Sequence, residues 1–273
     1  NVNTRFLVDV LRAFPHGNLP HKEVSVKQAE QNATANTAHM VAVRLNKVLA
    51  DAGVCSRRKA DALISRGAVS VNGQRVSNLG ERVVPGVDRI TVNGMPLSAP
   101  RPRCHLLLHK PIQVVCTVHD PEGRTTVIDV LPEPWRSMRL YPVGRLDFFS
   151  EGLLILTDDG ELAHRLSHPR HHLPKVYHVV VRETVPDAAL AAMRRVTLAE
   201  GERLAPVKVT LLPSSRGTLL EMTLHQGLNR QIRRMCRDLG LTILTLSRVA
   251  QGPLQLGDLP RGNARPLSSE ELA

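Results

Sequence analysis

Three positions in this sequence have side chains that could do chemistry together. The first is Asp147, in Leu140-Tyr-Pro-Val-Gly-Arg-Leu-Asp147-Phe-Phe-Ser-Glu-Gly-Leu-Leu-Ile-Leu-Thr-Asp-Asp-Gly160, with Leu146, Phe148 and Phe149 as its apolar neighbours. A carboxylate on a turn can act as nucleophile or base. It can equally cap its turn or pair with Arg145, and the residue alone leaves both readings open. The second is Tyr177 in Lys175-Val-Tyr-His-Val-Val-Val181, where strand alternation puts Tyr177 on the side of Lys175 and Val179; the strand pattern alone favours a half-buried packing tyrosine there. The third is the arginine cluster of Gln226-Gly-Leu-Asn-Arg-Gln-Ile-Arg-Arg-Met-Cys236. On a helix turning roughly 100° per residue, Ile232, Met235, Cys236 and Leu239 form an apolar stripe. Arg233 lies nearest its edge and can turn inward to a buried carboxylate, whereas Arg230, Arg234 and Arg237 point towards solvent or a polyanion. His168, His171 and His172 match no zinc spacing, and the chain has no His-Glu-x-x-His, so a metal site is rejected.

These groups need elements to hold them. Leu140, Tyr141 and Val143 predict a short strand, Gly144 a bend, and Leu153 to Leu156 a buried strand, so Asp147 falls on the turn between two strands. Asp158-Asp159-Gly160 closes the second strand, and Asp158 or Asp159 caps a short helix from Glu161 to Ser167. Upstream, Leu106 to Leu108 is a buried strand ending at His109-Lys110-Pro111, and Asp120-Pro-Glu-Gly123 is a turn. Downstream, Pro186 to Arg195 predicts a helix and Gly217 to His225 a strand. Asn229 would cap the arginine helix and Gly240 stop it. Nearer the start, Leu45, Val48, Leu49 and Ala52 mark one helix face, stopped by Gly53. Ser56 caps a second helix, with Ala60, Leu63 and Ile64 inward. Its first turn holds Arg57, Arg58 and Lys59, electrostatically wrong for an isolated helix but right for one that receives phosphate. Asn72-Gly73 and Asn93-Gly94 each follow an alternating run, a hairpin signal. Residues 1–41 read as mostly disordered, with a short helix near Phe6 to Phe14, and Ser98 to Pro102 reads as a linker.

With 273 residues the chain can build two modest domains. Its net charge of +11 and pI of about 10.2 call for a polyanionic partner: RNA, DNA or an acidic membrane surface. The charge is spread along the chain, which favours a folded binding face over a polybasic anchor. No apolar run is long enough to span a membrane, and no signal-peptide pattern opens the sequence. Cys55, Cys104, Cys116 and Cys236 are scattered and read as reduced thiols of a cytoplasmic protein.

Gly144-Arg145-Leu146-Asp147, followed by Ser150-Glu151-Gly152-Leu153-Leu154 and Thr157-Asp158-Asp159-Gly160, resembles the signature of bacterial ribosomal RNA pseudouridine synthases of the RsuA family. Ser150 stands where that family often has Thr. Ile112-Gln113 follows Lys110-Pro111 where it usually has a residue and Gly. Ala50-Asp-Ala-Gly-Val-Cys-Ser-Arg-Arg-Lys-Ala60 resembles the opening of an S4-type RNA-binding domain. The resemblance covers about residues 42 to 268. It implies an α+β chain: a small S4-type domain at 42–99, then at 104–268 a pseudouridine synthase domain on a mixed, largely antiparallel sheet with flanking helices. It also implies that Asp147 is catalytic, that Tyr177 packs on the target base, that Arg233 pairs with Asp147, and that Arg145 fills the space the base leaves. Arg57, Arg58, Lys59, Lys110, Arg145 and Arg230 are then the expected RNA contacts. No cofactor or metal is implied. The expected partner is ribosomal RNA, of the large subunit (23S) or in a pre-ribosomal particle, met by a monomer in the cytoplasm, with no membrane. Other readings are the same reaction on small-subunit (16S) RNA, a non-catalytic ribosomal RNA-binding or assembly factor, and a metal-dependent phosphodiesterase using Asp147, Asp158, Asp159 and nearby histidines.

Overall fold

The computed structural model describes residues 41–98, 102–167, 173–195, 197–199, 202–215 and 217–272. The expectations for residues 1–40 and for His168, His171 and His172 lie outside them. The first unit contains β1 (Val43–Arg44), α1 (Leu45–Asp51), α2 (Arg57–Ser65), β2 (Val69–Val71), β3 (Gln74–Val76), β4 (Arg82–Val83), β5 (Ile90–Val92) and β6 (Met95–Pro96). The 3.6-residue spacing of Leu45, Leu49, Ala60 and Ile64 delivers these side chains to one core with Val69, Val83, Ile90 and Val92. Ser56 Oγ accepts from the Lys59 amide at 3.2 Å, the expected cap. Both hairpins turn on Asn-Gly pairs with positive φ, 51° and 83° at Asn72 and Gly73, 51° and 81° at Asn93 and Gly94. Their strands make a sheet in the order β3-β2-β5-β6.

The second unit runs β7 (His105–Lys110), β8 (Tyr141–Val143), β9 (Glu151–Thr157), α3 (Gly160–Ser167), β10 (Lys175–Val181), α4 (Asp187–Met193), β11 (Thr197–Ala199), β12 (Glu202–Leu204), β13 (Lys208–Leu212), β14 (Thr218–Leu224), α5 (Gln231–Asp238), β15 (Ile243–Gln251), β16 (Leu254–Gln255), β17 (Ala264–Pro266) and α6 (Ser269–Leu272). The large sheet has the order β13-β14-β10-β15-β9-β7-β17, with β16 beside β15 and β8 beside β9. It has two halves. One core, under β10, β14 and α5, includes Val179, Leu220, Met222, Ile232 and Met235. The other, under β7 and β9, includes Leu106, Leu108, Leu154 and Leu156. The halves join through the sheet's one parallel pairing between named strands, Ser247 opposite Glu151 and Arg248 opposite Gly152. A Cβ on Gly152 would lie 2.2 Å from the Arg248 carbonyl oxygen, and its φ is +107°, so the seam admits only glycine there.

Arg139 of the second unit and Arg103, just before it, fasten the first. Arg139 Nη1 donates to the Ala50 carbonyl at 2.6 Å, which also accepts from the Gly53 amide, and Arg103 Nη1 donates to that of Asp51 at 3.0 Å, both at the C-terminal end of α1. No helix of the described residues is long and apolar enough to cross a membrane.

Candidate active site

β8 and β9 pair antiparallel, and the loop between them, residues 144–150, carries Asp147. Elements distant in sequence hold this loop by its backbone. Lys110 Nζ donates to the carbonyls of Pro111 (2.8 Å), Asp147 (3.2 Å) and Ser150 (2.8 Å). The Gln113 amide donates to the Phe148 carbonyl at 2.7 Å, and Arg233 Nη2 to that of Phe149 at 2.7 Å. Every carbonyl from Asp147 to Ser150 therefore has a donor from another element, which leaves the Asp147 side chain on a fixed base.

The carboxylate faces two guanidinium groups. Arg233 Nε lies 3.5 Å and Arg230 Nη1 3.6 Å from Oδ2. Both separations exceed a well-formed charged hydrogen bond, so the pairs hold the anion by charge and leave its oxygens open to a ligand. Arg233 is the more fixed of the two: its side chain is 18 % exposed against 52 % for Arg230. It also donates to Ser150 Oγ at 2.9 Å, so the hydroxyl of Ser150 has a definite task. Burial pulls the Arg233 pKa down and the Asp147 charge opposes that pull, and a guanidinium stays protonated regardless.

Asp147, Arg230 and Arg233 line a cleft of about 500 Å³ together with Tyr177, Lys175, Arg145, Gln231, Arg248 and Gln251. Tyr177 is half-buried and packs against both cores, so it stands where the two halves of the sheet meet. Arg145 is exposed at the same cleft. The structure thus brings together Asp147, Tyr177, Arg233, Arg145 and Arg230. Arg57, Arg58 and Lys59 are exposed on α2 and are not among the cleft residues.

Four expectations need correction. Lys110 was expected to contact RNA, but its side chain is 0 % exposed and its ammonium lies among three carbonyls. Burial pulls its pKa down, opposed by Cys116, Asp147 and Glu151. Arg234 was expected to face outward, yet it is buried, because α5 packs on β11 as well as on the sheet and so has more than one covered side. The N-cap of α5 is Arg230 rather than Asn229, and it takes the left-handed conformation (φ 50°) with no side-chain cap. Asp158 and Asp159 do not join Asp147. Asp158 accepts from the Cys104 amide, and Asp159 caps α3 through the amides of Glu161 and Leu162. They sit at the far end of β9, about 20 Å from the loop of Asp147 at strand rise. Among the described residues no three His, Cys, Asp or Glu side chains converge as metal ligands.

Sequence reasoning missed the anchoring role of Lys110 and the placement of Arg248. The first has a signal in retrospect, a lysine directly closing an apolar strand before proline. The second is an arginine between Leu246 and Ala250 on a strand whose buried positions alternate there.

Residues 105–238 match the family described as RNA pseudouridylate synthase, and residues 43–88 match the S4 domain. An uncharacterized RNA pseudouridine synthase of Aquifex aeolicus is 41% identical over 239 residues, 86% of this chain and 94% of that one. The ribosomal large subunit pseudouridine synthase B of Bacillus subtilis is 40% identical over 232 residues, 84% of this chain and 93% of that one. A dual-specificity RNA pseudouridine synthase of Shigella flexneri is 36% identical, over 84% of this chain and 77% of its own. A crystal structure of a pseudouridylate synthase superposes with a TM-score of 0.60 at 29% identity, covering 84% of this chain and 98% of that one.

Proposed function

From the premise that the chain belongs to the RNA pseudouridylate synthase family and carries an S4 domain, we propose that it isomerises a specific uridine of large-subunit ribosomal RNA, with Asp147 as its catalytic residue. The observation that carries the residue assignment is the Asp147 carboxylate, on a loop pinned through four consecutive carbonyls, 3.5 Å from Arg233 and in one cleft with Tyr177. The large-subunit target is supported by the 40% identity to the ribosomal large subunit pseudouridine synthase B of Bacillus subtilis.

The reaction breaks the N1–C1′ bond, turns the uracil, and joins C5 to the same sugar carbon; the C5 proton leaves and N1 gains one. Atoms and electrons are conserved, so the balance requires no oxidant or reductant. Stacked RNA hides the reacting atoms, and extruding the nucleotide costs a few kcal/mol. Arg145, exposed beside the cleft, is placed to occupy the vacated stack. Asp147 attacks the sugar or the uracil as an anion that Arg233 and Arg230 stabilise. Tyr177 stacks on the base and assists transfer of the C5 proton. We assign residues 42–99 to gripping RNA, through Arg57, Arg58 and Lys59 on α2, and residues 104–268 to catalysis. The protein would act as a monomer in the cytoplasm, where ribosomal RNA is found; its four cysteines are unpaired.

The test is incubation with unmodified large- and small-subunit ribosomal RNA, pseudouridine being mapped by carbodiimide-dependent reverse-transcription stops. The expected result is a new stop in the large-subunit RNA that Asp147→Ala abolishes. A stop that persists with Asp147→Ala would refute the residue assignment. A stop confined to small-subunit RNA would refute the target.

A further inference from the structure

The pairing of β10 with β15 contains an irregularity beside Tyr177. Tyr177 lies opposite Arg248 and Lys175 opposite Gln251, with a register shift between Val176 and Tyr177. Two steps along β10 are matched by three along β15, so β15 carries a bulge there. In a regular strand, Arg248 and Gln251 would face opposite sides of the sheet. The bulge instead lets both follow Tyr177 and Lys175 to the cleft, which all four residues line.

Both side chains are deeply buried, Arg248 at 2 % and Gln251 at 3 % exposure. Each is tethered through one atom. Arg248 Nε donates to the Leu153 carbonyl at 2.8 Å, and Gln251 Nε2 to the Leu166 carbonyl at 3.4 Å. Each also keeps one atom without a partner, a donor at Arg248 Nη2 and an acceptor at Gln251 Oε1. Buried polar atoms without partners cost stability, and proteins keep few of them. A donor and an acceptor, both unsatisfied and closed off from solvent, belong to residues that line the same cleft as Asp147, and a small shift of either side chain would offer the pair to a ligand.

We propose that Arg248 and Gln251 read the pairing edge of the extruded uracil, Arg248 Nη2 donating to the O4 carbonyl and Gln251 Oε1 accepting the N3–H. Uracil sets an acceptor beside a donor on that edge. Cytosine has no proton on N3, so Gln251 Oε1 would face a lone pair, and its exocyclic amino group would meet Arg248 donor to donor. A neighbouring phosphate fits less well, because it offers acceptors only and Gln251 would oppose it. The inference rests on the pseudouridine synthase reading of the cleft and gives that cleft its base selectivity.

The test uses the full chain and RNA carrying the mapped target position as uridine or cytidine, each variant being compared by its kcat/KM on uridine RNA and by inhibition with the cytidine RNA. The parent protein should prefer uridine over cytidine by roughly 10- to 100-fold, the scale of one or two polar contacts in a closed site. Gln251→Leu, which preserves volume, should reduce that preference to within about threefold, and Gln251→Glu, which preserves the acceptor, should restore part of it. Arg248→Lys keeps the charge, loses the second nitrogen and should lower the preference likewise; thermal midpoints identify variants that fold. Folded Gln251→Leu and Arg248→Lys proteins that turn over uridine with an unchanged preference would overturn the inference, showing the pair to be structural or bridged by water. Absence of pseudouridine with the parent protein would overturn the functional reading as well.

Discussion

Two basic regions of this molecule carry similar charge in opposite surroundings. Arg57, Arg58 and Lys59 stand exposed on the first turn of α2, and none has an ion-pair partner among the described residues. Lys110, Arg233 and Arg248 are drawn into the interior, where each has a backbone carbonyl to hold: Lys110 those of Pro111, Asp147 and Ser150, Arg233 that of Phe149, Arg248 that of Leu153. An exposed cation keeps its charge for a mobile anion and supplies affinity with little choice of sequence. A buried cation spends its hydrogen bonds on fixing geometry. Charge count alone would class all six as RNA contacts; burial separates those open to a polyanion from those held by backbone carbonyls inside the protein.

The separation is broken most directly at Arg233. Arg233→Gln should lower kcat by about 10²- to 10³-fold, the usual scale for removing one preorganised charge from a reacting centre. RNA affinity should change by less than about threefold, measured by filter binding. A loss in affinity as large as the loss in kcat would move Arg233 to the α2 class. Lys110→Met should destabilise the fold by about 2–4 kcal/mol in urea titration, because three carbonyls lose their cation in a buried site. Its kcat should fall too, as the Asp147 loop loosens. Weaker RNA binding at an unchanged urea midpoint would contradict the burial. The α2 set should behave conversely. With Arg57, Arg58 and Lys59 all replaced by Gln, affinity should fall by roughly tenfold or more, and the dependence of log K on log salt should become shallower by about 2 to 3, at 0.7–0.9 for each lost phosphate contact. kcat at saturating RNA should hold.

Legibility in the sequence follows how local the cause is. The Asn-Gly turns, the Ser56 cap, the Asp159 cap and the strand-loop-strand around Asp147 depend on a few adjacent residues, and pattern was enough to place them. A helical wheel singled out Arg233 because one stripe of α5 is apolar, and failed for Arg234 because a second surface covers the helix. Lys110 was misread because its acceptors, Asp147 and Ser150, lie 37 and 40 residues away. The seam at Gly152 and Arg248 was invisible for the same reason: it joins strands whose contact spans 95 residues at Leu153. The β15 bulge has no composition signal at all, since it exists only relative to the strand beside it.

Gln113 gives the smallest effect and tests the same anchoring from its backbone side. The turn after Lys110-Pro111 has Gln where the resemblance leads one to expect Gly, and the structure keeps the left-handed conformation there, with φ at 61°. The turn persists because the Gln113 amide is tied at 2.7 Å to the carbonyl of Phe148, in the Asp147 loop. A side chain in that conformation costs roughly 1–2 kcal/mol, of which glycine would recover part and return about 0.5–1 kcal/mol through the greater freedom of its unfolded chain. Gln113→Gly should therefore raise stability by at most about 1 kcal/mol, read from the urea midpoint, with kcat within about twofold of the parent. Gln113→Val should do the opposite, since a β-branched residue tolerates positive φ poorly. It would strain the amide that holds Phe148 and lower kcat along with stability. If Gln113→Val left kcat unchanged while lowering the midpoint, Lys110 and Arg233 alone would be sufficient to fix the loop, and the backbone tether at Phe148 would serve the fold rather than the site.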